Sequence, residues 1–456
     1  MTNAADLEYY AKLWFGAANE EITVNPDTGS QYTTVCGATA STCLGTKYTH
    51  NSGTSTFTTT GSSETKYYGT VTLTGFTGTD RVCVTSGSAG CSTTGFNIFV
   101  ITAQTGMTSA YSGIWGLSSG LSSATPTLLW QALKDNSVIT NRIFCFGLRL
   151  STGTSFLDMG SVILSNTKGG VVYYVPAITD FWWTNYVTGV KFGTGQNLDN
   201  AYTLTSYKAF TDTGAACTYI PTEYYAFITA ELISKATSPV ASTTWGYTMP
   251  CSDASNMDSV KFLYGDYWLE MLPADYLVDI TGSSTTCGLC MLESTVTSGG
   301  STYWVLGANF LRGFYTVYDR ESSRIGFAAL SGSAKDEPCD ATCAGGTATA
   351  TPSTAIEWWV WLIIAIAIVA IIVLLILFLW VFPAAEAEKA ASASAAGQTA
   401  DAISPLVETT VPDSQDFSSE ADDSSDPEPV DETFVPDDDN VPFPEDSDTQ
   451  GGRSEP

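Results

Sequence analysis

Histidine is nearly missing from this chain: His50 stands alone among 456 residues. Ser-His-Asp and Cys-His nucleophilic systems, and most catalytic zinc sites, would have to route through this one ring. It sits in KYTHNSGTS, a Thr, Ser and Gly stretch expected to be an exposed loop. Basic residues are scarce too, with 18 Lys and Arg against 47 Asp and Glu and a formal net charge of -29. Such a field repels nucleic acid and anionic lipid, so neither is expected as a partner. No Gly-x-x-x-x-Gly-Lys-Ser/Thr loop is present to cradle phosphates. Repeated CxxC pairs are absent as well, and with one histidine no metal site and no cofactor is expected. Carboxylates remain as the acid and the base. There is no Asn-x-Ser/Thr sequon to report on topology.

Long 3.6-period segments are also few before residue 330, where Thr, Ser, Gly, Tyr, Val and Ile alternate in short runs such as YGTVTLTGF and WVLGANF. That predicts a mainly β architecture, in a chain long enough for two lobes. The 11 cysteines all lie at or before Cys343. Cys36 with Cys43, Cys83 with Cys91 and Cys339 with Cys343 read as short-range disulfides of an oxidising compartment. Cys251 and Cys287 are expected in disulfides too, with the full connectivity open. Cys287 and Cys290 form the only CxxC, and Cys145, in RIFCFGL, reads as a buried small hydrophobe.

One long apolar run exists. WWVWLIIAIAIVAIIVLLILFLWVF, at 358–382, has no charged or polar break, and its length as a helix is roughly 37 Å at about 1.5 Å per residue. Tryptophans near both ends suit interfacial belts, so a single membrane span is expected. Lys389, the one nearby basic residue, and the upstream cysteines favour a lumenal or extracellular N-terminal part. Residues 386–456 hold 20 acidic residues against Lys389 and Arg453, a net of -18 that leaves -11 for the rest. Such a tail is too polar to bury a core and is expected to be disordered and cytoplasmic. Its acidic clusters are read as a site for a sorting adaptor. The N-terminus shows no signal peptide.

The tripeptide Asp-Thr-Gly occurs at Asp27, in NPDTGS, and again at Asp212, in AFTDTGAACTYIP. One copy has a plain alternative as a turn in which Asp bonds its own backbone. Two copies 185 residues apart, each followed by an apolar-apolar-Gly element, form an internal repeat of half-chain length. The elements are IWG at 114–116 and VLG at 305–307, with spacings of 89 and 95 residues from aspartate to glycine.

Residues from Tyr9 to about Leu330 resemble the pepsin-like (family A1) aspartic proteases. The resemblance is carried by EYYAKLWFGAANEEITVNPDTGS, by YYGTVTLTGFTGTDRVCV at 67–84, by YSGIWGLS, and by YWVLGANFLRGFYTVYDRESSRIGFA at 303–328. It implies an all-β bilobal fold with a pseudo-twofold axis, one Asp-Thr-Gly turn from each lobe facing a common cleft. By resemblance Asp27 and Asp212 form a catalytic dyad that shares a proton, since two adjacent carboxylates do not ionise together cheaply. Aspartic proteases are the standard example of that effect. Thr28 and Thr213 would brace the turns, and Gly29 and Gly214 would allow close approach. Ser30 would supply a hydroxyl beside Asp27, and Tyr68, Gly69 and Thr70 would form a flap over extended peptide substrates.

Four positions depart from the family pattern. Asn25 and Pro26 stand where apolar strand residues are usual, and the proline removes a backbone donor, which puts the strand geometry beside Asp27 at issue. Ala215 lacks the hydroxyl that Ser30 keeps, which predicts an asymmetric dyad. Thr34 lies near a position commonly held by tryptophan, so substrate preference is expected to shift. The organisation expected is an N-terminal lobe at 1–167, a C-terminal lobe at 168–330, a stem at 331–357, a span at 358–382 and an acidic tail at 383–456. The function expected is a single-pass type I aspartic endopeptidase of an endomembrane compartment, vacuole, lysosome or cell surface. An inactive pepsin-like receptor is the alternative.

Overall fold

The short alternating runs form strands, and the repeat seen in sequence is a repeat in hydrogen bonding. In the computed structural model, which describes residues 1–340 except 5, 51–55, 108–110, 123–125, 194–200 and 299, the strand Glu20–Asp27 ends at the first aspartate. It pairs in parallel with Ile114–Gly116, placing Asp27 opposite Gly116. The strand Ala201–Thr211 ends one residue before Asp212 and pairs in parallel with Trp304–Leu306. Each acidic turn therefore rides on its own apolar-apolar-Gly strand. The glycines are required there because the chain crosses them closely. A Cβ on Gly116 would lie 2.7 Å from the Tyr32 backbone, and one on Gly307 would lie 2.0 Å from the Cys217 carbonyl oxygen.

Two sheets build the N-terminal half. One joins Thr2–Ala4, Glu8–Phe15, Glu20–Asp27 and Ile114–Gly116, with Val82–Cys83 added to Glu8–Phe15. The other runs in the order Thr34–Cys36, Phe96–Thr105, Val71–Asp80 and Thr58–Tyr68. Its last two strands form a long hairpin whose tip is Gly69, at φ 56°. In the C-terminal half an eight-stranded sheet carries Ala201–Thr211 and Trp304–Leu306 near its middle. Between the halves, a five-stranded sheet interleaves Phe156–Met159, Ile143–Gly147, Phe314–Asp319, Arg324–Ala329 and Tyr173–Pro176, so both halves share one backbone network. All described residues belong to one compact unit.

Pro26 leaves the strand intact. Its neighbour Asn25 donates to the Gly113 carbonyl at 2.9 Å, and the Asp27 carbonyl accepts from Leu117 at 2.8 Å, so the ladder toward Ile114–Gly116 uses residues 25 and 27. Residue 26 faces the other edge, beyond the last pair of the neighbouring strand, Ala11 with Val24. A missing N–H costs least at such a position, and the Pro26 carbonyl remains available.

His50 is not exposed. Only 7% of its surface is accessible, and its ring packs against Tyr48, Phe57 and Phe76 with centroids 5.8, 5.1 and 5.8 Å away. The polar stretch around it conceals this, because Phe76 arrives on one hairpin strand and Phe57 lies just ahead of the other. Cys145 is buried and free, as expected.

Disulfides join Cys36 to Cys43 and Cys83 to Cys91. Cys251 pairs with Cys287 and Cys217 with Cys290, so the two cysteines of the CxxC serve different bridges. Cys339 is disulfide-bonded, while Cys343, its expected partner, lies outside the described residues. So do the expected span at 358–382 and the tail. Among the described residues no helix is long and apolar enough to cross a membrane.

Residues 331–340 of the expected stem are anchored to the body of the protein at several points. Lys335 is 1% exposed, with Nζ donating to the Phe310 carbonyl at 2.9 Å and lying 3.2 Å from Asp275 Oδ2. Cys339–Asp340 adds a short strand to Tyr267–Met271. A buried ammonium needs such partners, because desolvating it alone would be costly.

Candidate active site

The local chemistry of each turn comes from its own residues. Gly29 N–H donates to Asp27 Oδ1 at 2.8 Å, and Gly214 N–H donates to Asp212 Oδ1 at 2.8 Å. Ser30 Oγ donates to Asp27 Oδ2. Ala215 has only its N–H to offer, which reaches Asp212 Oδ1 at 3.1 Å. The two turns are thus alike in backbone and unlike in side chain.

Reciprocal threonine bonds then hold the turns together. Thr28 Oγ1 donates to the Thr211 carbonyl at 2.8 Å and accepts from Thr213 N–H at 3.0 Å. Thr213 Oγ1 donates to the Pro26 carbonyl at 2.7 Å and accepts from Thr28 N–H at 3.0 Å. Both threonines are buried, at 0% and 2% exposure, and lie under the carboxylates and off the cleft wall. The grip brings each aspartate against the opposite turn. A Cβ on Gly29 would sit 2.6 Å from Asp212 Oδ2, and one on Gly214 would sit 2.4 Å from Asp27 Cγ. Glycine is the only residue that leaves this room.

Such proximity perturbs both acids. Burial raises the Asp27 carboxyl above its ordinary range, opposed by bonds from Ser30, Asp212, Gly29 and Gly214 that favour its charged form. Asp212 is raised well above the usual range, first by burial and then by the Asp27 charge and their shared hydrogen bond. The pair titrates as one unit.

A cavity of about 350 Å³ opens over the carboxylates. Of the residues expected at the site, it is lined by Asp27, Gly29, Ser30, Tyr68, Gly69, Thr70, Asp212 and Gly214. The flap residues come from the hairpin tip. Thr34 lies away from this wall, fully buried, its Oγ1 accepting from Ile114 N–H at 2.9 Å.

Sequence reading missed several wall residues, among them Glu8, Tyr111, Phe181, Trp182, Phe210 and Tyr219. Trp182 bonds directly to the first acidic turn. Its indole N–H donates to the Gly29 carbonyl at 2.9 Å, and its ring stacks on Phe210 at 4.5 Å and 14°. Asp180, Lys208 and Tyr303 hold the preceding backbone through mutual bonds of 2.9 to 3.0 Å. The FWW run at 181–183 was visible, but nothing local says that it crosses to the first acidic turn. Tyr219 lies beyond the second turn, and burial pushes its hydroxyl up to about 12. Among the described residues no group of His, Cys, Asp and Glu is arranged to hold a metal.

A repeated β fold that sets two acidic turns face to face across a cleft defines a bilobal protein with a paired-carboxylate site. Residues 8–330 match the eukaryotic aspartyl protease family, and the chain belongs to that family. It is 27% identical to gastricsin of Oryctolagus cuniculus over 232 residues, covering 48% of this chain and 55% of that protein. The chain thus spans about half the length of the gastricsins it matches. It is 27% identical to pepsin-2B of Gadus morhua over 338 residues, covering 72% of this chain and 98% of that one. Cathepsin D of Homo sapiens is 24% identical over 348 residues, covering 72% of this chain and 82% of cathepsin D.

Proposed function

We propose that this protein is an aspartic endopeptidase in which Asp27 and Asp212 hydrolyse peptide bonds with a water nucleophile. The observation that carries the reading is the approach of each carboxylate to the opposite Asp-Thr-Gly turn, across positions where only glycine fits. Charge and proton divide unequally between them. Ser30 and three further donors favour the anion on Asp27, while Asp212 lacks a hydroxyl partner and faces that anion.

Asp27 then takes a proton from water as the water oxygen bonds to the peptide carbonyl carbon, and the Asp212 proton moves to the carbonyl oxygen. Collapse of the resulting gem-diol breaks the C–N bond, with the Asp27 proton passing to the leaving nitrogen and the diol returning its proton to Asp212. The dyad ends as it began. Tyr68, Gly69 and Thr70 close over an extended peptide, excluding water and fixing the scissile bond.

The test is cleavage of a denatured protein by the secreted 1–340 portion, with and without pepstatin. Acid-favoured, inhibitor-sensitive cleavage supports the reading. A folded protein that binds peptides and cleaves none would sink it in favour of a receptor. The Ser30 and Ala215 asymmetry adds a finer expectation: Ala215→Thr supplies a hydroxyl to Asp212, stabilises its anion, and moves the alkaline limb of the activity profile to lower pH. An unchanged profile would count against the division of roles.

The apolar run at 358–382 supports a second element of the proposal, a single-pass tether with the cleft on the lumenal or extracellular side and the acidic tail in the cytoplasm. The full chain is expected to stay with membranes through an alkaline carbonate wash. Its release would overturn the tether.

A further inference from the structure

The flap strand carries a buried cation. On the strand Thr58–Tyr68, Lys66 is 2% exposed, while its neighbour Tyr67 is 43% exposed on the opposite face. Lys66 shares a face with Tyr68, two residues on, as strand alternation requires. Its Nζ lies 3.6 Å from the centroid of the Tyr32 ring and 5.1 Å from that of Phe99. Glu64 Oε2 is 3.3 Å away, on a side chain 42% exposed.

Tyr32 belongs to the loop that follows the first acidic turn, two residues beyond Ser30, and its carbonyl accepts from Gly116 N–H at 3.1 Å. Phe99 packs in the same cluster as Tyr68, and its N–H donates to the Thr33 carbonyl at 2.9 Å. The ammonium therefore connects the flap to the loop that presents Ser30 to Asp27. Burying it has a desolvation cost that an apolar side chain of equal length would avoid. Beside its bond to Glu64 on its own strand, what the ammonium adds is an oriented attraction to the face of a ring on the neighbouring loop.

We propose that Lys66 is a positioning residue, a latch that seats the flap on the Tyr32 loop and is released by rehydration when the flap lifts. The catalytic half of this inference rests on the peptidase reading above, whereas the contact itself does not. The attraction holds Tyr68 at the height a bound peptide needs. Solvation of the freed ammonium keeps the closed state from becoming too stable, so opening remains accessible.

The test measures backbone hydrogen exchange over residues 64–76 together with peptide-cleavage kinetics. Lys66→Met keeps the length and removes the charge, and Tyr32→Leu removes the ring. Each is expected to speed flap exchange and to lower kcat/KM by about tenfold, mostly through KM. The double variant is expected to be no worse than either single one, because both remove the same contact. Lys66→Arg, which also stacks on rings, is expected to restore both readouts. Equal or slower exchange in Lys66→Met, additive single effects, or unchanged kinetics in an active enzyme would overturn the proposal. If the unsubstituted protein cleaves nothing, the peptidase reading fails, and exchange alone still decides whether Lys66 holds the flap. If Lys66→Met does not fold, Tyr32→Leu and Lys66→Arg carry the same comparison.

Discussion

Asp27→Asn and Asp212→Asn are each expected to reduce kcat/KM for peptide cleavage by about 10⁴-fold or more, because a proton-transfer pair works as a unit and half of it does little. Both substitutions preserve shape. An asparagine at either position can still accept from the Gly29 or Gly214 N–H at the same place, so the threonine grip and the fold survive. Cleavage rates are measured in acid on protein that melts cooperatively and whose far-UV spectrum matches the parent. Retention of more than a few per cent of activity in either variant would mean that the reaction does not pass through the pair. Pepstatin affinity separates a lost proton from a distorted cleft, since the cavity walls are unchanged.

The second large effect is with pH. In the proposed mechanism the active form holds one proton between two carboxyls, so activity is expected to fall where a second proton adds and again where the shared one leaves. Both groups are raised, Asp212 well above its ordinary value, which moves the alkaline limb up from the usual carboxylate range. Activity is expected to peak below neutrality, and a maximum above it would contradict the proposal.

Stability follows the same groups with a definite sign. A carboxyl whose folded pKa exceeds its unfolded value binds its proton more tightly when folded, so its contribution is present in acid and lost as pH rises through the folded pKa. At neutral pH the protein therefore holds two crowded acids at a cost. Asp212→Asn removes that crowding and is expected to melt higher than the parent near neutrality, with the difference closing in acid. Equal melting temperatures at both ends would show that the carboxylates are not coupled. Stability gained as function is lost is common at strained sites.

Local chemistry was readable in the chain. Aspartate, threonine and glycine in succession specify a tight turn with bonded carboxylates, and an apolar-apolar-Gly strand tolerates a close crossing, so both halves of the repeat could be found by spacing. Cys36 with Cys43 and Cys83 with Cys91 are close enough for short loops to favour them. The bridges from Cys217 to Cys290 and Cys251 to Cys287 were not readable, since strand order brings those residues together. Pro26 looked like a disruption until the ladder showed which edge it faced. His50 looked exposed because its neighbours in sequence are polar, although its neighbours in space are rings.

The sequence by itself determined the two acidic turns, the mainly β character and the chemistry left open when histidine is nearly absent. These depend on residue type and on spacings of a few positions, which set backbone preference directly. Only the tertiary structure decided that Asp27 and Asp212 oppose each other, that Ser30 and Ala215 give them unlike partners, that Trp182 bonds the first turn and that Lys66 packs on the Tyr32 ring just after it. Those relations join segments tens to hundreds of residues apart. Such partners are chosen by the packing of whole sheets, and no local pattern in the chain encodes that choice.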